Sequence, residues 1–335
     1  MPRKARIDAP KALQHIIIRG IQKRKIFWDD TDRTNFLERL GNILNETSTS
    51  CYAWALIPNH VHLLLQTGAV PIASVMRRLL TGYAVSFNLR HHRHGPLFQN
   101  RYKSILCQED PYFLELVRYI HLNPLRSKTV NDFSALDNYL FTGHSAILGK
   151  RLNTWQDADY VLRCFGEKPG VARRRYRAYV KRGIEKGSRP DLIGGGLIRS
   201  MGGWAHIKTL RKRQERVKGD ERILGDSAFV LEVLKASEEQ IERKSMLKTR
   251  GYGLEQLGKR VAQIFNIGPE EITSPGKYRQ AVKARSVFCY WGVRVLGKSA
   301  TEIAKRLSVS QPAVSIAVKR GERIVKEMSL GLTEN

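Results

Sequence analysis

Acidic residues are few for a chain of this length. The 335 residues include 31 Asp and Glu against 58 Lys and Arg, which leaves a formal net charge of +27. The positive excess is spread along most of the chain and does not form one basic tail. A field of this sign attracts polyanions and speeds their capture. The composition therefore favours a nucleic-acid partner, with a ribosomal site or an anionic membrane surface as alternatives.

Cysteine pairs and long hydrophobic runs are also missing. The four cysteines are far apart and form no CxxC pair, so zinc-finger chemistry is not indicated. No segment reaches the roughly 18 consecutive apolar residues of a membrane span. The first residues lack the apolar region of a secretory signal. We therefore expect a cytoplasmic, nucleoid-associated protein without a membrane partner.

The first 130 residues alternate between patterns typical of strands and helices. Strands are predicted at Leu13–Gly20, Cys51–Ile57, His60–Gln66 and Phe98–Cys107, and helices after Asp29/Asp30, over about 72–89 and over about 110–122. The order β-α-β-β-α-β-α is that of a ferredoxin-like α+β domain with an antiparallel sheet. We predict three segments, namely this domain (1–130), a basic all-α region (131–245) and a C-terminal domain (246–335).

His60 and His62 flank Val61 in the third predicted strand. Residues two apart in a strand point to the same face, so the two imidazoles share one side and Val61 faces the other. Two imidazoles side by side on a rigid sheet form half of a divalent-metal site. The alternative is a pair of structural histidines beneath a loop.

The segment YFLELVRYIHLNP (112–124) predicts a helix that Pro124 helps to end. Tyr119 and Asn123 are four residues apart and therefore share one helical face. The amide oxygen of Asn123 is an acceptable third metal ligand, which would bring Tyr119 next to a phosphate held by the metal. A tyrosine there could attack the phosphate and form a phosphotyrosine without ATP. The alternative is a half-buried core tyrosine.

Three motifs carry a resemblance to a known family. NHVHLLL (59–65), LFQNRYKSIL (97–106) and VRYIHLNPLR (117–126) resemble motifs of the single-tyrosine HUH transposases, and especially of the REP-associated tyrosine transposase branch. The resemblance is strong over about 10–130 and extends more loosely into 155–187. It implies that a divalent metal, Mg²⁺ or Mn²⁺, is bound by the two histidines of the first motif and the asparagine of the third, with Tyr119 as the catalytic nucleophile.

The same resemblance implies a substrate and a polarity. Family members cut and rejoin single-stranded DNA, often beside a hairpin, and leave the tyrosine on a 5′ phosphate with a free 3′ hydroxyl. Basic positions of such proteins are matched by His15 and Arg19 on the first strand and by Arg101 and Lys103 on the fourth. We expect these four residues to contact DNA phosphate, with ordinary surface charge as the alternative.

Near the C-terminus, a short turn separates two predicted helices, Ser299–Leu307 and Gln311–Arg320. This is helix-turn-helix spacing, and the segment resembles the C-terminal DNA-binding domain of the bacterial chromosomal replication initiator. The second helix would enter the major groove of duplex DNA, with Gln311, Ser315 and Lys319 as contacts. An ordinary helical bundle is the alternative.

Two other functions share these residues. Rolling-circle replication initiators and relaxases use the same histidine pair and tyrosine chemistry, but their tyrosine usually precedes the histidines, whereas Tyr119 follows His60 and His62. A non-catalytic DNA-binding regulator on a transposase-like scaffold would bind DNA without cutting it. The DNA target, the oligomeric state and the general base are left open by the sequence.

Overall fold

The computed structural model describes residues 7, 11–68, 70–187, 189–193, 220, 222–236, 253–274, 276 and 278–332. By contact density the chain divides into two compact units, Met1–Val233 and Leu234–Asn335. The first unit contains the predicted histidine pair and tyrosine, and the second contains the predicted helix-turn-helix.

The first unit is built on a five-stranded sheet. Its strands are β1 (Leu13–Arg19), β2 (Ser50–Ile57), β3 (His60–Gln66), β4 (Lys103–Cys107) and β5 (Ile223–Leu224), in the order β2-β3-β1-β4-β5. The first four strands pair antiparallel, and β5 pairs parallel to β4. The α+β class and the ferredoxin-like arrangement of the four main strands are thereby confirmed.

Among the described residues, the helices of the first unit up to residue 193 flank this sheet. They are α1 (Asp30–Thr47), α2 (Ile72–Arg90), α3 (Glu109–His121), α4 (Asn123–Arg126), α5 (Phe133–Asn138), α6 (Gly143–Ile147), α7 (Ala158–Arg163) and α8 (Pro169–Arg182), with short 3₁₀ turns at Ile21–Lys23 and Pro190–Ile193. The side chain of Asp29 caps α1 by accepting a hydrogen bond from the Asp32 backbone N–H. Residues 227–236 are also helical.

Two apolar cores lie on opposite faces of the sheet. On one face, residues such as Trp54, Val61 and Leu63 pack with α1 and α2. On the other face, residues such as Ile17 and Leu64 pack with α3 and with the helices that follow it. Because side chains alternate between faces along a strand, His60 and His62 lie on the α3 side, and Val61 is buried on the α1–α2 side.

Three sequence-based expectations need correction. The fourth strand begins at Lys103, not Phe98: Phe98 forms only an isolated antiparallel bridge with Gly20, and the left-handed φ of 59° at Asn100 interrupts the extended chain. The region 131–245 is not all-α, since Ile223 and Leu224 form β5 beside the β4 edge. The last predicted helix extends to Glu327.

The helices between residues 131 and 193 belong to the first unit. Leu136, Val161, Tyr176 and Leu192 are buried in the same core as α3. The α8 helix shows why, because its buried residues, which include Tyr176, recur every four positions and leave the arginines outside. The three-segment division stays a prediction, but its first boundary does not coincide with a break in this core.

The second unit is a helical bundle. Its helices are α9 (Leu254–Phe265), α10 (Pro269–Thr273), α11 (Arg279–Tyr290), α12 (Ala300–Leu307) and α13 (Gln311–Glu327), with a π-helical turn at Trp291–Val295. Ser299 caps α12 by accepting from the Glu302 backbone N–H (3.0 Å). Ser308 ends α12 with a left-handed backbone, and Ser310 caps α13.

Gly321 sets the closest approach of α13 to α11. A Cβ atom at this position would lie 1.9 Å from the Ser286 carbonyl oxygen, which is backbone and cannot move aside. A Cβ at Gly258 in α9 would meet only ordinary contact, 3.9 Å from Phe288. A β carbon is therefore excluded at Gly321 by the neighbouring backbone, whereas Gly258 has room for one.

We predict that Gly321→Ala lowers the free energy of unfolding of the second unit by about 1–3 kcal/mol, because it overpacks the α11–α13 contact. Gly258→Ala should leave stability unchanged or raise it by up to about 1 kcal/mol, because alanine favours a helix interior. Calorimetric unfolding of the two full-length variants tests this. Equal effects of the two substitutions would contradict the close packing at Gly321.

Candidate active site on the α3 face of the sheet

Pairing of β1 with β3 sets the position of the two histidines. His62 lies opposite Ile17 and His60 opposite Arg19. The imidazole centroids of His60 and His62 are 5.1 Å apart, with their planes at 74°. His62 has 2% of its surface exposed, whereas His60 is half-buried at the end of the strand. The predicted pair therefore does share one face, with one ring deep and one near the solvent.

Helix α3 brings Tyr119 to this pair. The phenol ring stands edge-on to His62, with centroids 5.7 Å apart and planes at 81°. Asn123 begins α4 on the next helical turn and is 7% exposed. Strand β3 and helix α3 thus bring together three of the four residues that the sequence singled out, and Asn123 lies one turn beyond the tyrosine.

Burial keeps the imidazoles of this site neutral. It lowers the pKa of His60 to about 4, and it lowers the pKa of His62 well below its usual value, with smaller contributions from His15, His60 and Arg19. A neutral imidazole has a nitrogen lone pair, which is the form that binds a metal ion. The protonation state that the site favours is therefore the ligating one.

Burial also raises the pKa of the Tyr119 phenol, because the phenolate is poorly solvated there. The positive charges of Arg126 and Arg19 act in the opposite direction. Arg126 lies over the phenol ring, its guanidinium carbon 5.3 Å from the centroid. The sequence motif contained Arg126, but its position over the tyrosine is visible only in the fold.

His15 is placed differently from the prediction. It has no exposed surface, its Nε2 lies 2.9 Å from Nδ1 of His62, and its Nδ1 lies 3.2 Å from the Leu192 carbonyl oxygen. Burial lowers its pKa to about 4. A neutral ring without solvent-accessible surface cannot contact a DNA phosphate in this arrangement. The expectation for His15 is therefore corrected, and the ring instead supports His62.

The segment 189–193 lies against the site, although it is distant in sequence. Leu192 is 1% exposed and its carbonyl accepts from His15, while the Ile193 carbonyl accepts from Lys103 Nζ (2.7 Å). Arg189 ties the segment to α3 by an ion pair with Glu115 (2.8 Å). No local sequence signal indicated this contact.

The remaining predicted DNA contacts are spread over both units. Arg19 and Arg101 are exposed on the first unit, and Lys103 is exposed but engaged by Ile193. Gln311, Ser315 and Lys319 are exposed along α13, where the Ser315 hydroxyl donates to the Gln311 carbonyl (3.2 Å). These positions suit contacts with a polyanion, and the DNA-binding role of each residue stays a prediction.

The donor atoms present fit a divalent cation. Two neutral imidazoles and a carboxamide form a nitrogen and oxygen ligand set, and Asn123 has a buried amide nitrogen without a hydrogen bond among the described residues. Over the same part of the chain, no group of three or more His, Cys, Asp or Glu side chains is arranged to hold a metal. The Asn123 amide oxygen stays the predicted third ligand.

The fold and these residues define a class of protein, a ferredoxin-like domain with a histidine pair facing a helical tyrosine. Residues 9–123 match the family described as "Transposase IS200 like". The match covers about one third of the chain. The resemblance drawn from the three motifs is confirmed at the level of this family.

Solved structures similar to the chain include two transposases. One is a REP-associated tyrosine transposase bound to a REP hairpin, with 14% identity and a TM-score of 0.38 over 47% of this chain and 90% of that chain. The other is a candidate transposase from Deinococcus radiodurans R1, with 20% identity and a TM-score of 0.26 over 36% of this chain and 95% of that chain. No curated protein matches the chain. Within the described residues, no helix is long and apolar enough to cross a membrane.

The buried imidazoles predict a pH dependence of stability for the metal-free protein. Above about pH 6.5 both states hold neutral imidazoles, so these groups do not change stability. As the pH falls towards 4, the unfolded chain takes up protons that the folded chain does not, and the free energy of unfolding decreases. His15, lowered to about 4, contributes up to about 3 kcal/mol of this loss.

Urea unfolding in EDTA at pH 7, 5.5 and 4.5 measures this slope. His15→Gln should flatten it, because the substitution removes one proton-binding difference between the two states. His94→Gln, which removes an exposed imidazole, is the matched control and should leave the slope as in the wild type. An unchanged slope in His15→Gln would show that His15 is not a buried neutral ring.

Proposed function

We propose that this protein is a metal-dependent, site-specific endonuclease and strand transferase for single-stranded DNA, acting through a 5′-phosphotyrosine on Tyr119. The observation that carries the proposal is the edge-on approach of Tyr119 to His62, 5.7 Å between centroids, beside His60 on one sheet face. A tyrosine nucleophile next to two neutral imidazoles suits metal-assisted phosphoryl transfer. The match of residues 9–123 to a transposase family supports the same chemistry.

The chemical step exchanges one phosphodiester for another. The phenol of Tyr119 loses its proton, its oxygen bonds to phosphorus, and the bond between phosphorus and the 3′ oxygen breaks; that oxygen then takes up a proton. When bound by His60, His62 and Asn123, Mg²⁺ or Mn²⁺ would polarise the phosphate and offset its developing charge. Because the product is again an ester, a 3′ hydroxyl can reverse the step and join strands without ATP.

Charges of the chain assist the tyrosine. Desolvation opposes formation of the phenolate, and Arg126 and Arg19 offset part of that opposition because they lower the pKa of Tyr119. Arg19 is exposed next to His60, so it can also meet an incoming phosphate. A basic surface around the histidine pair favours a polyanionic substrate, and a REP-like hairpin with single-stranded flanks is the substrate we propose.

We also propose that the second unit binds duplex DNA through α13. Gln311, Ser315 and Lys319 recur every four residues along α13 and are all exposed. Such a row can reach base edges and phosphates when a helix lies in the major groove. Site recognition and strand cutting would then reside in different units of one chain.

The first prediction of this function concerns the nucleophile. Tyr119→Phe should abolish the covalent DNA adduct while leaving DNA affinity within a few-fold of the wild type, because only the attacking oxygen is lost. The assay incubates full-length protein with labelled single-stranded hairpin DNAs from the region flanking its gene and Mn²⁺ or Mg²⁺, followed by a denaturing gel.

Tyr112→Phe and Tyr102→Phe are the controls and should keep the adduct. Loss of the adduct in either control with its persistence in Tyr119→Phe would assign the nucleophile elsewhere. Tight DNA binding with no adduct for any protein, over a broad pool of DNA sequences, would favour a non-catalytic DNA-binding regulator.

A second prediction concerns α13. Lys319→Ala should weaken duplex binding and reduce the slope of log K against log salt by about 1, because one phosphate contact and its released counterion are lost. Fluorescence anisotropy at several salt concentrations measures the slope. Lys326→Ala on the same helix is the control, because Lys326 is paired with Glu322 (2.9 Å). Equal slopes for the two variants would remove α13 from the DNA interface.

A further inference from the structure

Each histidine of the pair is backed by a hydrogen-bond chain that ends at a backbone carbonyl. Behind His62 the chain runs through His15 to the carbonyl of Leu192. Behind His60 it runs through Asn59 to the carbonyl of Lys23. A carbonyl oxygen only accepts hydrogen bonds, so each chain has one direction of donation that satisfies all of its members.

The direction of the first chain follows from the Leu192 carbonyl. Nδ1 of His15 must carry the proton, because it faces that oxygen at 3.2 Å. A buried, neutral imidazole has only one N–H, so Nε2 of His15 is an acceptor. Nδ1 of His62, at 2.9 Å, must then be the donor. His62 is left with its lone pair on Nε2.

The second chain gives His60 the same tautomer. The Asn59 amide nitrogen donates to the Lys23 carbonyl at 3.2 Å, which orients the amide. Its oxygen then faces Nδ1 of His60 at 2.6 Å and accepts from it. His60 is likewise left with its lone pair on Nε2. The neighbouring backbone is held by a hydrogen bond from Gly20 N–H to the Asn59 carbonyl (2.9 Å).

We infer that His15 and Asn59 are positioning residues, which hold His62 and His60 as Nδ1–H tautomers so that both rings present Nε2 to the divalent ion. This rests on the proposed function, since it concerns the same metal site. The opposite tautomers would carry a proton on Nε2, which blocks ligation, and would set the His15 Nδ1 lone pair against the Leu192 oxygen. Outer partners of this kind orient metal-binding histidines and raise their basicity.

The inference gives the 189–193 segment a role. Leu192 lies 177 positions from His15 and outside the family match, which ends at residue 123. Its carbonyl is nevertheless the terminal acceptor behind the more deeply buried histidine. The metal affinity of the transposase domain would then depend on a segment contributed by the region after it.

The test measures Mn²⁺ binding to the full-length protein without DNA, by the electron paramagnetic resonance signal of free Mn²⁺. His15→Leu removes the acceptor and should lower the affinity about 10- to 100-fold. His15→Gln keeps an amide oxygen as acceptor and should restore most of it. His144→Leu is the matched control, because His144 is also a fully buried histidine but pairs with Tyr176 and Asp137.

A second pair of variants does not disturb the core. Asn59→Ala should also weaken Mn²⁺ binding about 10-fold, whereas Asn59→Asp keeps an acceptor oxygen and should bind near the wild-type level. Asn59 lies in the turn between β2 and β3, outside the apolar core. If His15→Leu failed to fold, the Asn59 variants would still test the hydrogen-bond chain behind His60.

The third readout needs no metal. Nitrogen chemical shifts of ¹⁵N-histidine protein in EDTA should show His60 and His62 as Nδ1–H tautomers, with His62 shifting to a mixture in His15→Leu. Wild-type affinity in His15→Leu and Asn59→Ala, or Nε2–H tautomers in the wild type, would overturn the inference. Equal Mn²⁺ binding by the wild type and His60→Ala would instead overturn the metal site and the proposed function. The tautomers of His60 and His62 would even then show whether the two hydrogen-bond chains exist.

Discussion

The register of β1 against β3 is the constraint on which the rest of the site depends. It places His62 opposite Ile17 and His60 opposite Arg19, all on the face that α3 covers. A slip by one residue would turn every side chain of β3 to the other face. The histidines would then enter the core formed with α1 and α2, where Val61 now lies. The approach of Tyr119 to His62 exists only in the observed register.

Burial acts on the two halves of the site in opposite ways. For His60 and His62 the loss of solvation disfavours the charged form and leaves a neutral ring that can bind a metal. For Tyr119 the same loss disfavours the phenolate that would attack phosphorus. Arg126 and Arg19 offset part of the second effect without charging the histidines. The poorly solvated site thus keeps the histidines in the form that binds a metal ion. The positive charges of Arg126 and Arg19 make the phenolate of Tyr119 less unfavourable there.

The structure around the candidate site extends beyond the residues that match the family model, which end at residue 123. The segment 189–193 supplies the Leu192 and Ile193 carbonyls that receive hydrogen bonds from β1 and β4. Strand β5 adds a parallel edge at Leu106 and Cys107. Helix α8 packs in the core of α3 through Tyr176, whose hydroxyl lies 2.7 Å from Nδ1 of His121. The family match therefore contains the sequence motifs, but several segments that support them in the fold lie after residue 123.

The sequence by itself determined what local backbone geometry controls. A strand period of two predicted that His60 and His62 share a face. Helical spacing predicted that Tyr119 and Asn123 share a helical face, although Asn123 begins α4, after α3 ends at His121. Only the tertiary structure decided that His15 is buried against His62, that Lys103 meets Ile193, and that Ile223 and Leu224 extend the sheet in parallel. The physical reason is sequence distance: periodicity acts within a few residues of the backbone. Contacts such as that between His15 and Leu192 are set by packing between segments whose pairing no local pattern specifies.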